Sequence, residues 1–245
     1  IMPDRLAGRT NLYPQIRYFG SAAFDPHTDG GFSERKIAKA SQIRVLPDGV
    51  DTLHGALAEP LAVAMHAVKR AGSLAGKDVL VNGAGPIGSL VVAAAKFAGA
   101  RSVTAADINV SALQIAKAMG ADHVVDVSSG GLPEDMELVF EASGIPAVLG
   151  GVLRATARGG TLVQVGNLPG APAPAALGDL VTREITWIGS YRFVDEISDA
   201  LQAMANGLDV SPVITHKYGI DEAAEAMRVF GDPASGSSKV MLRLS

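Results

Sequence analysis

The spacing of hydrophobic and polar positions changes twice along the chain. Residues 1–50 are polar and rich in turns, with glycines and prolines bounding short strand-like runs at 31–37 and 43–46. These two runs predict a small antiparallel β unit. From residue 51 the apolar positions recur at helical spacing, and from residue 78 strand-like and helical segments alternate.

The helical region is interrupted once. Asp51 is a suitable N-cap for a helix that continues to Leu57. The Glu59-Pro60 pair follows, and helical spacing resumes over Leu61–Lys69. Proline is tolerated in the first turn of a helix, where its missing N–H has no intrahelical partner to lose. We therefore expect a second helix that starts at Pro60.

The alternating region predicts a parallel sheet with helices on both faces. The predicted strands are 78–82, 102–106, 123–127, 137–141, 160–166 and 185–190, and the predicted helices are 86–98, 109–119, 146–156 and 176–183. Right-handed crossovers place the loops after these strands at one edge of the sheet. After Arg192 the alternation weakens into helices at 195–206 and 221–230 and strands at 213–218 and 239–244.

This order predicts an α/β protein in which a doubly wound Rossmann domain is inserted within a second, β-rich domain. We assign residues 1–60 to the first part of the β-rich catalytic domain, 61–191 to the Rossmann domain and 192–245 to the returning segment. The chain opens at Ile1 without an initiator methionine, so we expect a segment upstream.

Composition narrows the function classes. The 245 residues carry a net charge of −4 without a basic run, so nucleic acid and anionic membrane surfaces are not expected partners. No apolar stretch reaches the length of a membrane span and no signal peptide opens the chain. The absence of cysteine excludes disulfides and thiolate metal ligands within these residues. A soluble, cytoplasmic protein is predicted.

A glycine loop follows the strand at 78–82. Gly83, Gly85 and Gly88 form G-x-G-x-x-G, with Pro86 and Ile87 opening the helix that comes next. The first glycine permits the tight turn, the second lets the backbone approach a pyrophosphate, and the third lets helix and strand pack closely. The N–H groups of the helix N-terminus would face the phosphates. The pattern therefore predicts dinucleotide binding.

An acidic residue ends the next strand. Asp107 lies nineteen positions after Gly88, at the distance where dinucleotide-binding proteins carry the residue that accepts hydrogen bonds from the adenosine ribose. A carboxylate there repels a 2′-phosphate. NAD is therefore predicted in preference to NADP.

Several further motifs lie along almost the whole chain. They are Gly8-Arg9-Thr10-Asn11-Leu12, Phe19–Ala22, Asp29–Phe32, Ala58–Val63 with His66-Ala67, Phe140–Gly144, Gly159–Gly166, Gly189–Phe193 and Ala205–Gly207. With the glycine loop they resemble the medium-chain, zinc-type alcohol and polyol dehydrogenases. Within that family the resemblance is greatest to the bacterial L-idonate 5-dehydrogenases, and the sorbitol dehydrogenases come next.

The resemblance implies an architecture and cofactors. The β-rich domain would be GroES-like and, in this chain, incomplete at its N-terminus. The cofactors would be NAD and one catalytic zinc ion, and the protein would form a homodimer or homotetramer by sheet extension near Ile185–Ser190. The resemblance also implies nicotinamide-side and cofactor-loop contacts from Ser143, Val165, Gly166, Asn167 and Tyr191.

Other site residues are implied in the same way. Glu59 matches a position that faces the catalytic zinc in the polyol branch, although capping of the helix at Pro60 is an alternative role. Arg192 matches a residue that contacts the sugar, with a domain-interface salt bridge as the alternative. Phe193 would pack by the nicotinamide or substrate, or only in the core. Tyr18 and Ser21 match substrate-pocket positions.

Two departures from the family pattern concern zinc. The structural-zinc lobe of the family has four cysteines, whereas Met2, Arg5 and Tyr13 stand at the visible positions, so a lobe zinc is not expected. In the family a Cys and a Gly-His-Glu motif upstream complete the catalytic zinc site. A metal triad of His54, Glu59 and His66 is rejected because Pro60 breaks the helical register.

The combined reading is an NAD-dependent, zinc-assisted dehydrogenase that oxidises a secondary alcohol of a sugar acid. The alternative with the same chemistry is a sorbitol or xylitol dehydrogenase. A rival from another class is a catalytically inactive dinucleotide-binding protein, for which the missing zinc ligands argue. A zinc-free NADPH reductase is disfavoured by Asp107.

Overall fold

A computed structural model describes residues 3–244, so Met2 lies outside the described residues. Its strands are β1 (Asp78–Asn82), β2 (Ser102–Asp107), β3 (His123–Asp126), β4 (Met136–Glu141), β5 (Thr156–Gln164), β6 (Thr186–Gly189), β7 (Ile214–Gly219) and β8 (Lys239–Arg243). Its α-helices are α1 (Thr52–Gly55), α2 (Ala58–Ala71), α3 (Pro86–Phe97), α4 (Val110–Ala118), α5 (Leu149–Ala155), α6 (Gly178–Thr182), α7 (Glu196–Ala205) and α8 (Ala223–Gly231). No helix among these residues combines the length and apolarity of a membrane span.

Strands β1 to β6 form one parallel sheet in the order β3-β2-β1-β4-β5-β6. This is the strand order of a doubly wound dinucleotide-binding domain, in which ligands bind where the order reverses. The reversal lies between β1 and β4. The predicted α/β class and the Rossmann sheet are therefore confirmed.

The sheet is buried on both faces, which explains why its strands are continuous apolar runs rather than alternating ones. Helices α2, α3, α4 and α7 cover one face, where Val81, Phe140 and Val163 pack. Helix α5 covers the other face, where Leu80 and Val139 pack. Burying each of these side chains contributes roughly 1.5–3 kcal/mol. Because the strands are parallel, their carboxyl ends lie together at one edge of the sheet.

The N-terminal strands predicted at 31–37 and 43–46 are wrong. The structure has no strand among residues 3–50, only short 3-10 turns at Asp4–Leu6, Thr10–Leu12 and Ala40–Gln42. A strand requires a hydrogen-bonded neighbour, and none lies beside these runs in the described chain. Ile37 and Val45 are accordingly 98% and 89% exposed.

Three other boundaries differ from expectation. Helix α2 is continuous from Ala58, with Pro60 inside its first turn rather than at its start. The predicted helix at 146–156 is divided into a 3-10 turn, Pro146–Val148, and α5. Strand β5 begins earlier than predicted, at Thr156.

Strands β7 and β8 form a separate parallel pair, and α8 connects them. Helix α7 returns to the main body and packs against α2. The assignment of residues 1–60 and 192–245 to one catalytic domain remains a prediction.

Candidate dinucleotide site and adjoining cavities

The glycine loop lies at the carboxyl end of β1, beside the point of strand reversal. Gly83 has a φ of +92°, and its N–H donates to the Ala106 carbonyl at 2.8 Å. A Cβ on Gly83 would lie 2.6 Å from the Ser143 nitrogen, and a Cβ on Gly88 would lie 1.8 Å from the Gly83 carbonyl oxygen. Both positions therefore require glycine. Gly83 needs it for its positive φ and its close packing on Ser143, and Gly88 needs it because α3 approaches the loop so closely.

The N-terminus of α3 has backbone N–H groups that could bind an anion. Gly85 is its N-cap, no side chain caps the helix, and Pro86 occupies the first turn. A Cβ on Gly85 would meet nothing within 4 Å, so open space faces the backbone here. Unpaired N–H groups and the positive end of the helix dipole therefore point to a position that fits a pyrophosphate. Ile87 is partly buried against the core.

Asp107 ends β2 next to the glycine loop. One carboxylate oxygen accepts from the Ala84 N–H at 2.6 Å, and the other accepts from the Asn109 N–H at 2.9 Å. The side chain thus supports the loop as well as standing where an adenosine ribose would lie. Asp107 and the loop together fit the adenosine half of a dinucleotide.

Three side chains form a polar ladder across adjacent strands. Asn82, Glu141 and Gln164 end β1, β4 and β5 and are register partners in the sheet. Glu141 is fully buried, and the amides of Asn82 and Gln164 both donate to its carboxyl group. The polar ladder (Asn82, Glu141, Gln164) crosses the point of strand reversal and has no counterpart in our sequence analysis.

The loops after β4 and β5 touch each other. A Cβ on Gly166 would lie 2.3 Å from the Gly144 nitrogen, and a Cβ on Gly144 would lie 2.6 Å from the Asn167 carbonyl oxygen. The Ser143 hydroxyl donates to Glu141 rather than facing the crevice. Val165 packs against the core. These loops therefore pack together at the carboxyl ends of β4 and β5, where the resemblance predicts the nicotinamide side of the site.

A cavity of about 330 Å³ lies at the ends of β5 and β6. Gly166, Asn167 and Tyr191 line it, and their contacts with the cofactor remain a prediction. Three buried oxygens of other lining residues have no hydrogen-bond partner among the described residues: Asn11 Oδ1, Gln164 Oε1 and Ser190 Oγ. Unpaired acceptors of this kind fit a ligand with N–H donors, such as the carboxamide of a nicotinamide ring.

A second, larger cavity of about 690 Å³ lies between the start of α2 and the segment that precedes α7. It brings together Glu59, Tyr18, Arg192 and Phe193, four of the five residues expected to contact substrate or metal. Ser21 does not line it: this side chain is buried, and its Oγ accepts from the Ala23 N–H at 3.4 Å. A substrate role for Ser21 stays a prediction without support from its position.

Arg192 has a constrained position in this cavity. Its φ of +53° is unusual for a residue with a side chain, and its guanidinium lies 3.7 Å from the centre of the Tyr18 ring. The guanidinium also donates to the Tyr18 hydroxyl, while its buried Nε has no partner among the described residues. Arg192 forms no salt bridge with any of residues 3–244, so its alternative role at a domain interface has no support from the described part of the chain. A guanidinium held in this way on the cavity wall fits a carboxylate ligand by its charge.

Glu59 lies in the first turn of α2 and is exposed to this cavity. It does not cap the helix, because α2 begins before it and Leu57 is the N-cap. Lys239 of β8 lies near it: burial lowers the pKa of Lys239, and the Glu59 carboxylate opposes that shift. Our sequence analysis did not single out Lys239.

The described residues do not by themselves fit a zinc ion. No group of three or more His, Cys, Asp or Glu side chains among them could hold a metal ion. Glu59 is the candidate ligand they contribute. His66 is not available as a second one, because its Nδ1 lies 3.0 Å from Glu196 Oε1 in a buried pair between α2 and α7.

The Glu196 carboxylate also fixes the turn that follows Phe193. It accepts from the N–H groups of Val194 at 2.6 Å and Asp195 at 3.1 Å. Burial raises the pKa of Glu196, but hydrogen bonds from His66 and Val194 outweigh burial and lower it to about 2. Glu196 therefore connects the helix that carries Glu59 to the segment that carries Arg192.

The family model and the relatives that match this chain are all dehydrogenases. Residues 86–206 match the protein family described as zinc-binding dehydrogenase. The chain is 38% identical over 239 residues to L-idonate 5-dehydrogenase (NAD(P)(+)) of Escherichia coli K12, with 95% of this chain and 69% of that protein aligned. It is 34% identical over 232 residues to sorbitol dehydrogenase of Gallus gallus, with 89% and 64% aligned.

Solved structures of dehydrogenases also superpose on this chain. The crystal structure of L-idonate 5-dehydrogenase from Escherichia coli K-12 superposes with a TM-score of 0.91 at 37% identity, over 97% of this chain and 70% of that one. A zinc-binding dehydrogenase structure from Sinorhizobium meliloti 1021, bound to NADP, gives 0.87 at 31% identity, over 98% and 72%. The chain thus spans about two thirds of the length of its relatives.

Proposed function

Because this chain belongs to the zinc-binding dehydrogenase family, we propose that it oxidises a secondary alcohol of a sugar acid with NAD, as an L-idonate 5-dehydrogenase. The observation that carries the proposal is the cavity that Arg192 lines together with Glu59 and Phe193, with its guanidinium held against the Tyr18 ring. A sugar acid offers both a carboxylate for the guanidinium and hydroxyl groups for the remaining wall.

The roles of the residues follow from their positions. The glycine loop and the start of α3 would hold the pyrophosphate, and Asp107 would accept hydrogen bonds from the ribose. A hydride would pass from the alcohol carbon to the nicotinamide, while the hydroxyl proton is lost. In this family a bound zinc ion makes that hydroxyl more acidic. Glu59 is the one candidate ligand for it among the described residues.

We propose NAD as the preferred cofactor because the Asp107 carboxylate would repel a 2′-phosphate. The residues just after it, Ile108 and Asn109, supply no positive charge to offset that repulsion. A cytoplasmic location and a homodimer or homotetramer through the free edge of β6 also belong to this proposal.

The test measures the rate of NADH formation by the full-length natural protein, first with L-idonate and then with sorbitol as the substrate. Arg192→Ala should lower kcat/KM for idonate about 100-fold, the value of a lost charge-assisted pair, and change kcat/KM for sorbitol by less than about threefold. Arg17→Ala, at an arginine that lines the same cavity but donates to the Pro26 carbonyl, is the control.

Equal turnover of idonate and sorbitol by the wild-type protein would sink the sugar-acid assignment in favour of a polyol dehydrogenase. NADH binding without turnover of either substrate would favour the inactive binding protein, in keeping with the lack of three candidate metal ligands among residues 3–244. Tighter binding of NADPH than of NADH would overturn the assignment of Asp107.

A further inference from the structure

The fully buried carboxyl group of Glu141 lies at the point of strand reversal and is not one of the groups that would touch substrate or cofactor. We infer that Glu141 is a positioning residue that holds the nicotinamide half of the crevice in its binding conformation. This inference rests on the proposed function, in that it assumes the crevice binds a dinucleotide.

Both oxygens of this carboxyl group are surrounded by donors. Oε1 accepts from the Ser143 N–H at 2.8 Å, from the Ser143 hydroxyl, and from the Asn82 amide at 3.4 Å. Oε2 accepts from the Gly144 N–H at 3.1 Å and from the Gln164 amide. A buried carboxyl group is costly without such partners, so its retention here requires the whole set.

The backbone of Glu141 adds to this arrangement. Its carbonyl accepts from the N–H groups of Val165 at 2.8 Å and Gly166 at 2.9 Å. The Ala142 N–H donates to the Asn82 carbonyl at 2.8 Å. One residue therefore joins the ends of three adjacent strands, β1, β4 and β5, and the loops that follow them.

Glu141 also decides which way the Gln164 amide faces. The Nε2 group donates to both Glu141 and the Gly166 carbonyl, at 2.8 Å for the latter, so Oε1 is left as an acceptor without a partner among the described residues. Gln164 lines the 330 Å³ cavity together with Gly166 and Asn167. Glu141, with the Gly166 carbonyl, thus orients one of the three unpaired oxygens of the residues that line this cavity.

The adenosine half is supported differently. The glycine loop is held by the Gly83 N–H on the Ala106 carbonyl and by the Ala84 N–H on Asp107, contacts that belong to β1 and β2. The one hydrogen bond of the Glu141 side chain to this half is the long one from Asn82, although Ser143, whose N–H Glu141 accepts, packs against Gly83. Because the two mononucleotide halves of such a sheet are separate units, a change at Glu141 should affect one half selectively.

The experiment measures the dissociation constants of NADH and of 5′-AMP by calorimetry for wild type and Glu141→Gln. The substitution replaces an acceptor with an NH2 group that must face donors whichever way the amide turns. We expect NADH to bind about tenfold more weakly, because the loop after β4 loses a hydrogen-bond acceptor, and 5′-AMP to bind within about twofold of wild type.

Glu137→Gln is the matched control. It lies on the same strand, at the opposite, exposed end, and should bind both ligands like wild type. If Glu141→Gln fails to fold, Gln164→Met decides, since it removes the link between Glu141 and the Gly166 carbonyl together with the Oε1 atom that this link orients. The same selective loss of NADH affinity, about threefold or more, is expected there.

Unchanged NADH affinity, or an equal loss of NADH and 5′-AMP affinity, would overturn the inference, because either result means that Glu141 does not act on the nicotinamide half in particular. A wild-type protein that binds neither ligand would overturn the proposed function and the inference together. The two failures are therefore distinguishable.

Discussion

Two glycines of one loop meet opposite physical demands. Gly88 has no room for a side chain, since its Cβ would lie 1.8 Å from the Gly83 carbonyl oxygen. Gly85 has room, and its φ of −59° is accessible to any residue, but its surface faces the position expected for the pyrophosphate. Stability and ligand binding are therefore separable at this loop.

Alanine substitutions should separate them experimentally. Gly88→Ala should lower the free energy of unfolding by about 3 kcal/mol, because α3 must move away from the loop. Gly85→Ala should change it by less than about 0.5 kcal/mol yet weaken NADH binding, because a methyl group enters the approach to the phosphates. Urea unfolding and NADH calorimetry on both variants provide the measurements, and a stable Gly88→Ala protein would contradict the packing argument.

At the scale of single residues, the sequence predicts what local spacing encodes. Gly83, Gly85, Gly88 and Asp107 were identified because the strand, loop and helix around them are contiguous, and they do lie together. Glu141 lies within the motif Phe140–Gly144, but the local sequence does not predict its hydrogen bonds to the neighbouring strands. Two of its partners, Asn82 and Gln164, lie on other strands far from it in the chain, and no local pattern predicts that these side chains meet.

At the scale of elements, the pair of α2 and α7 depends on one buried carboxylate. Glu196 of α7 contacts His66 and is also within 3.5 Å of Lys69, both on α2. Its pKa is lowered to about 2 from an ordinary value of 4.5. A lowered pKa means that the carboxylate stabilises the fold above pH 4.5, and that this contribution is lost as the pH falls toward 2.

Glu196→Gln should therefore show a pH-dependent loss of stability. The free energy of unfolding of wild type minus that of the variant should be largest above about pH 5, at up to about 3 kcal/mol, and should shrink between pH 4.5 and 2. Urea unfolding over this pH range is the measurement. Asp195→Asn, at the exposed neighbour paired with Arg44, should cost less than about 1 kcal/mol throughout. A Glu196→Gln effect independent of pH would refute this account.

Elements with regular spacing were predicted well, and irregular ones were not. The strands of the six-stranded sheet were identified because both of their faces are buried and their apolar runs are continuous. The runs at 31–37 and 43–46 have a similar local pattern but no neighbouring strand in the described chain. Pairing decides whether such a run becomes a strand, and pairing is a property of the fold.

At the scale of the whole molecule, the dinucleotide crevice and the metal site differ in completeness. The crevice has its glycine loop, its acidic residue and the loops after β4 and β5 within one sheet. For the metal, the described residues supply Glu59 and no group of three candidate ligands. A zinc ion in a protein requires three or four protein ligands, so it cannot be held by these residues alone.

Zinc content measured together with intact mass tests this difference. Protein whose mass corresponds to residues 1–245 should retain less than about 0.1 zinc per chain, and a longer product should retain about one. In the longer product, Glu59→Gln should reduce zinc retention, whereas Glu137→Gln should not. One tightly bound zinc on a chain of only these residues would contradict the structural argument.

Asp107 has a consequence for anyone who wishes to redesign the cofactor preference. Its carboxylate accepts from the Ala84 N–H of the glycine loop and stands where we propose the ribose to bind. Replacing it should therefore remove the repulsion of a 2′-phosphate and a support of the glycine loop at once. A positive charge added at the neighbouring Ile108, which is 69% exposed, would attract the extra phosphate and leave the loop intact. Redesign toward NADPH should therefore begin beside the acid and keep it in place.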